Sequence, residues 1–249
     1  MEKSVFNAKQ VKDEIIDWIK SYFDATGGDA KAVIGISGGK DSAIAAALCV
    51  EAVGKERVIG VLMPQGVQSD IDVSYSVCKH LGIRHHEINI GEAVNALYSP
   101  IQAVGLELND IAVFNTPARV RMATLYAVSG IEGGRVVNTC NLSETFVGWE
   151  TKYGDSAGDF SPISDLTVTE VKAIGYELAL PAEFIEKTPI DGLCGKTDED
   201  GLGFSYNTLD KYIREGICDD EHSKNRILEL QVRSEHKRNP IPQFKYTGR

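Results

Sequence analysis

Apolar residues recur along the chain in two alternating signatures. Val11, Ile15, Trp18, Ile19 and Tyr22 stand three or four apart with Lys and Asp between them, which predicts an amphipathic helix over 9–25. Residues 32–36 form a short unbroken apolar run, the mark of a strand buried on both faces of a parallel sheet. The alanine-rich stretch that begins at Asp41 then reads as helix. The alternation continues with strands at 57–63, 84–90 and 135–139. Between and after them fall a helix capped by Ser69 or Asp70, one over 92–104, and a long segment over 109–130 broken only by Pro117. Further helices follow at 168–180, 207–216 and 220–237, with a polar, glycine-rich loop over 188–203. This order predicts an α/β fold, an open parallel sheet with helices on both faces. Ligands of such sheets sit beyond the carboxyl ends of the strands. The loop after the first strand and the turn at 140–144 after the fourth should therefore share a cleft.

Composition narrows the picture without changing it. The 249 residues suit a single domain over 1–249, and a net charge of −10 argues against a nucleic-acid-binding surface. Five cysteines, an odd number with no CxxC pair, suggest neither a disulfide framework nor a zinc site. No signal-type N terminus and no apolar run of about 18 residues is visible, so the expectation is a cytoplasmic protein with no membrane segment.

The chemistry concentrates after the first strand, in Ser37-Gly38-Gly39-Lys40-Asp41-Ser42. Gly38 and Gly39 let a phosphate approach backbone amides, and the helix that follows turns its positive end toward the loop. A Walker A loop is excluded because Asp41 follows Gly39-Lys40, and the GxGxxG fingerprint is absent. The loop resembles the SGGxDS pyrophosphate-binding loop of the ATP pyrophosphatases. Asp41 suits a Mg²⁺ that bridges ATP phosphates; a bare Gly/Ser turn with Asp41 as a helix cap is the plainer alternative, and six matched positions directly after a strand count against it. Across the cleft, Glu144 would complete a two-carboxylate Mg²⁺ site, although taken alone Ser143 and Glu144 read rather as the start and cap of a helix.

Five further segments follow the loop in order: NTPARVRM (115–122), TCNLSE (139–144), TKYGDSAGD (151–159), GKTDEDGLGFSY (195–206) and SEHKRNPIP (234–242). The series resembles the NAD synthetase family in its ammonia-dependent form. The resemblance implies a Rossmann-like, adenine nucleotide alpha hydrolase-like fold and amidation of deamido-NAD by ammonia. The reaction would run through an acyl-adenylate and release AMP and pyrophosphate. It also implies that Gly35, Ile36, Ser37, Gly38, Gly39, Lys40, Asp41 and Ser42 hold ATP, with Thr139 near the nucleotide. Asp41 and Glu144 are then the catalytic Mg²⁺ ligands, and Arg119, Lys152, Asp159, His236 and Lys237 contact deamido-NAD. A homodimer is implied as well.

Some positions depart from the family pattern. Val168 stands where many members carry a lysine, and Ile190 where a small hydroxyl residue is usual; Lys172 or Lys196 could substitute. Arg119 and Arg121 point in different directions on a helix, and Asn115 shares the face of Arg119. Gly192, Gly195, Gly201 and Gly203 suit a mobile lid over 188–203. A chain of 249 residues leaves no room for an added glutaminase, so free ammonia or a separate amidase is expected. Two alternatives remain: another ATP pyrophosphatase of the amide- or thio-transfer kind, and a nucleotide-binding sensor without catalysis. His80, His85, His86 and His222 lack metal-ligand spacing, and Trp18 and Trp149 read as packing residues.

Overall fold

The computed structural model describes residues 6–187 and 197–248. Its sheet consists of β1 (Lys31–Gly35), β2 (Val58–Leu62), β3 (Arg84–Glu87) and β4 (Gly134–Val136). All pairings are parallel and the order is β3-β2-β1-β4, with Val33 opposite both Ile59 and Val136. The chain builds outward from β1 through β2 to β3, then returns to the other side of β1 for β4. The order thus reverses between β1 and β4, and this is where an open sheet leaves a crevice at its carboxyl edge.

Helices are α1 (Ala8–Thr26), α2 (Lys40–Val53), α3 (Ile71–Leu81), α4 (Gly91–Ala103), α5 (Asp110–Glu132) and α6 (Leu142–Val147). They continue with α7 (Val168–Glu177), α8 (Ala182–Ile185), α9 (Asp198–Leu202), α10 (Tyr206–Glu215), α11 (Glu221–Arg233) and α12 (Glu235–Arg238). The pleat of β1 divides its side chains between two cores. Ala32 and Ile34 join Ile19, Phe23, Leu48 and Ile174 on the face covered by α1, α2 and α7. Val33 joins Ile59, Val61, Met122 and Leu125 beneath α5. Because α2 lies between the sheet and two other helices, it is buried from Ser42 to Cys49, and its small side chains permit that depth. Gly175 of α7 packs on it so closely that a Cβ there would stand 2.9 Å from Ile44. A third core, with Val147, Val168, Leu202, Phe204, Leu209 and Ile227, joins α6, α7 and α9 to α10 and α11.

Several boundaries differ from the sequence expectation. β3 stops at Glu87, because its exposed RHHE stretch is an edge strand with one neighbour. α5 runs unbroken through Pro117; the ring is buried and the helix is held at its start by the Asn109 side chain on the Ala112 amide. The last helix is split at Ser234, whose hydroxyl turns back onto the Leu230 carbonyl. The 168–180 helix ends at Glu177. Of the expected loop over 188–203, residues 198–202 are helix, anchored by buried Leu202, while 188–196 lie outside the described residues together with Ile190, Gly192, Gly195 and Lys196.

Gly148 ends α6 with φ +67, and a Cβ at that position would lie 2.0 Å from Ser234 Cβ. Gly148→Ala combines left-handed strain with a clash, so it should destabilise the protein by about 2–4 kcal/mol in chemical denaturation. Hydrogen exchange should show the 234–248 segment loosening first.

Candidate active site

The loop after β1 is shaped by its own residues before any ligand is considered. Gly38 takes φ +77, and a Cβ there would meet Ser74 Oγ at 3.1 Å and Val73 Cβ at 3.3 Å, so only glycine suits the turn. Ser37 Oγ accepts from the Gly39 amide at 3.2 Å, and Ser42 Oγ donates to the Gly39 carbonyl at 3.0 Å. The two hydroxyls lie 3.2 Å apart, so they brace the loop. Gly39, the residue before α2, contributes no side-chain cap. The first amides of α2 are therefore left to an anion, with the positive end of the helix dipole behind them.

After β4 the chain enters α6 through Asn141, which is wholly buried. Asn141 Oδ1 accepts from the Glu144 amide at 3.1 Å, and the Asn141 amide donates to Glu144 Oε2 at 3.1 Å, a reciprocal capping box. Its remaining group, Nδ2, donates to Asp41 Oδ1 at 3.1 Å. One asparagine thus joins the phosphate loop to the turn after β4. Glu144 caps α6 and also stands within electrostatic reach of Asp41. Burial pushes Glu144 well above the usual carboxylate range, Asp41 adds to the rise, and Lys40 pulls against it.

Lys40 completes the cluster. Its side chain is 2% exposed, its ammonium lies 2.9 Å from Asp41 Oδ2, and it sits 5.7 Å from the centre of the Tyr206 ring. Burial alone would pull this ammonium down, but Asp41, Glu144 and Asp198 hold it above the ordinary lysine value. Lys40, Val168, Lys172, Lys187, Asp198 and Tyr206 help line a cavity of about 480 Å³. Lys172 is engaged with Glu186 at 2.7 Å and Lys187 with Asp70 at 2.6 Å. Lys196 lies outside the described residues.

Of the other sequence candidates, Asp159 and Lys237 line a second cavity of about 400 Å³, together with Asn138, Cys140, Glu150 and Arg238 among others. Arg119 Nε donates to the Lys152 carbonyl at 3.2 Å, and Asn115 Oδ1 accepts from Thr151 Oγ1 at 3.0 Å. Arg121 leaves that face to donate to the Met63 carbonyl at 3.1 Å. Lys152 Nζ donates to the His236 carbonyl, and Lys237 Nζ to the carbonyls of Gly148 at 2.8 Å and Glu150 at 2.6 Å. Arg119, Lys152, His236 and Lys237 are therefore brought together. Asp159 stands apart, accepting from the Val136 amide at 2.7 Å and from Tyr126 at 3.3 Å. The strand expected over 135–139 is β4, which ends at Val136, so half-buried Thr139 lies in the connection that leads from β4 to α6.

Sequence reading missed Asn141, Tyr206, Asp210 and Arg238. Asp210 is buried and accepts from Ser143 Oγ at 2.5 Å and from the Thr169 amide at 2.8 Å, which locks the starts of α6 and α7 to α10. Only Asn141 carried a signal, since Asn followed three residues later by Glu is a capping pattern.

A divalent cation suits the donor set as far as it goes. Among the described residues no group of three or more His, Cys, Asp or Glu side chains gathers at metal-holding spacing. Asp41 and Glu144 are two hard oxygen donors beside a phosphate-type loop, which fits an ion that takes one or two carboxylates and completes its shell with phosphate and water.

Comparison with known proteins gives a consistent result. The NAD synthase family model matches residues 11–243. The NH(3)-dependent NAD(+) synthetase of Methanococcoides burtonii is 37% identical over 254 residues, covering 95% of each chain. Among solved structures, the NMN synthetase of Francisella tularensis aligns with TM-score 0.88 at 29% identity, over 97% of this chain and 100% of that one. The NH3-dependent NAD synthetase of Campylobacter jejuni aligns with TM-score 0.79 at 26% identity, over 97% and 100%.

Glu144→Gln keeps the capping box, because a glutamine oxygen can still accept the Asn141 amide. A carboxylate raised in the folded state contributes stability that is complete below the usual carboxylate range and is lost as pH rises through the raised value. The Gln variant should therefore melt at or above the wild-type temperature, with a gap that widens as pH rises above the usual carboxylate range. Thermal melts across pH check this; a gap that narrows with pH would contradict it.

Proposed function

Since the chain belongs to the NAD synthase family, we propose that Asp41 and Glu144 form the chemical centre of an ammonia-dependent NAD synthetase whose phosphate loop holds ATP. The overall reaction is the ATP-dependent amidation of deamido-NAD by ammonia to give NAD. The observation that carries the site reading is the Asn141 bridge, which sets Glu144 and Asp41 side by side at the mouth of the loop.

A carboxylate is a poor acyl donor because its oxygen leaves poorly. One carboxylate oxygen of the substrate attacks the α-phosphorus of ATP, the bond to the bridging oxygen of the β-phosphate breaks, and pyrophosphate departs with that electron pair. Ammonia then attacks the acyl carbon, the bond to AMP breaks, and the nitrogen loses a proton. The Gly38 amide and the start of α2 stabilise the departing charge as preorganised donors. Mg²⁺ held by Asp41 and Glu144 would supply charge neutralisation on the phosphates. No side-chain nucleophile is needed. Arg119 and Lys152, with His236 and Lys237 behind them, are suited by charge to the anionic groups of the dinucleotide. Asp159, tied to β4, orients the cavity wall.

The reading includes a homodimer. Leu97, Ile101, Val104, Leu106, Ile111 and Phe114 on α4, α5 and their connection are 39–75% exposed, apolar surface of the kind a second copy covers. It also includes a cytoplasmic setting, which the free cysteines at 49, 78, 140 and 218 support. Among the described residues no helix is long and apolar enough to cross a membrane.

Purified protein with ATP, Mg²⁺ and ammonium should form pyrophosphate and NAD in equal amounts, and only when deamido-NAD is present. The nicotinate mononucleotide acid belongs in the same assay, because the NMN synthetase is so similar in fold. Turnover of that acid alone would transfer the site to the smaller substrate. Asp41→Asn and Glu144→Gln should each lower kcat by at least about 100-fold; full activity in both would overturn the assignment, and no pyrophosphate with any acid would favour a sensor. Phe114→Asp with Ile111→Asp should move the sedimentation coefficient to that of a monomer, and an unchanged dimer would place the interface elsewhere.

A further inference from the structure

Lysine is almost never fully buried unless it is paired. Lys40 is buried on the first turn of α2 with its ammonium on Asp41 Oδ2, beneath the Tyr206 ring. The second carboxylate oxygen, Oδ1, is engaged by Asn141. Both oxygens of Asp41 are therefore held by donors from this chain, one of them a full positive charge. A divalent cation approaching Oδ2 meets an ammonium 2.9 Å from the same oxygen, and in a site of low exposure that repulsion is weakly screened.

The same ammonium has a second destination. Lys40 follows Gly38 and Gly39 directly, so its side chain is rooted in the loop that receives phosphate, and it lines the 480 Å³ cavity with Lys172 and Lys187. Those two lysines are held by Glu186 and Asp70. Val168, which borders the cavity on the opposite helix, brings no charge.

We propose that Lys40 is a positioning residue that makes metal capture depend on nucleotide. Its ammonium occupies Asp41 until the phosphates of ATP draw it away, and only then do Asp41 and Glu144 present an open pair to the cation. The inference rests on the reading of Asp41 and Glu144 as the metal-holding carboxylates.

The test is Mn²⁺ binding to the full chain followed by electron paramagnetic resonance, first without nucleotide, beside binding of ATP measured without metal. Lys40→Met and Lys40→Gln should bind Mn²⁺ about tenfold more tightly than wild type without nucleotide, and should bind metal-free ATP about tenfold more weakly. Gln can still donate to Asp41, so it covers the case in which Met does not fold. Lys40→Arg keeps the charge and should stay near wild type, and Lys172→Met, in the same cavity, should change Mn²⁺ binding less than about twofold. Asp41→Asn serves as the control on the site itself.

If the uncharged Lys40 variants bind Mn²⁺ no more tightly than wild type while Asp41→Asn weakens binding, the role of Lys40 is overturned and the carboxylate assignment stands. A gain in Lys172→Met equal to that in Lys40→Met would also overturn it, since the effect would be the field of the whole cavity. If neither Asp41→Asn nor Glu144→Gln alters Mn²⁺ binding, the carboxylate assignment falls and the inference falls with it.

Discussion

The hydrogen bonds of one buried asparagine hold the two halves of the site together. Asn141 has no exposure, and its side-chain oxygen, side-chain amide and backbone amide are all engaged, with Glu144, Asp41 and Glu144 again. A buried amide left unpaired would cost about 1–3 kcal/mol, so each partner fixes the others. The geometry follows from topology as much as from the residue. The strand order reverses between β1 and β4, and the crevice at that reversal puts the loop after one strand beside the turn after the other.

A second layer of constraint comes from the C-terminal half. Asp210 ties α6 and α7 to α10, and Tyr206 at the head of that helix roofs Lys40. Burial, with Glu144, Asp198 and Asp41 nearby, holds the Tyr206 phenol above its ordinary range, so it stays neutral over the lysine. On the other side, Lys237 and Arg238 of α12 donate to carbonyls at the end of α6. Burial pulls the Lys237 ammonium down, as expected for a cation turned inward onto backbone oxygens. These lysine and arginine contacts shape the walls of the second cavity and close the third core at once.

Much of this was legible in the sequence because it rests on local chemistry. The apolar run at 32–36, the paired glycines and the alanine-rich helix announce a strand, a tight turn and a buried helix, and those three elements appear where the pattern put them. Pairings between distant segments were not legible. Nothing in the one-dimensional pattern says that Asp210 will receive Ser143, or that Lys40 will meet Tyr206 across a separation of more than 150 residues. Helix ends were hard to read for a related reason. Pro117 reads as a break because it lacks an amide, yet a long helix capped by Asn109 and packed against the sheet absorbs the loss. The split at Ser234 depends on a hydroxyl bonding back into its own helix, which competes locally with helix continuation.

The charge arrangement explains why Lys40 is compatible with the fold at all. A lysine buried alone would release its proton or destabilise the protein, and two neighbouring carboxylates buried without a cation would take up a proton or do likewise. Here each solves the other's problem: three acidic groups hold the ammonium above its ordinary value, while the ammonium restrains the rise of Glu144. Such mutual neutralisation is good for folding and poor for binding, because a satisfied carboxylate has little left to offer an incoming cation. Under the proposed reading, nucleotide phosphates give the ammonium a new partner and so return Asp41 to the cation.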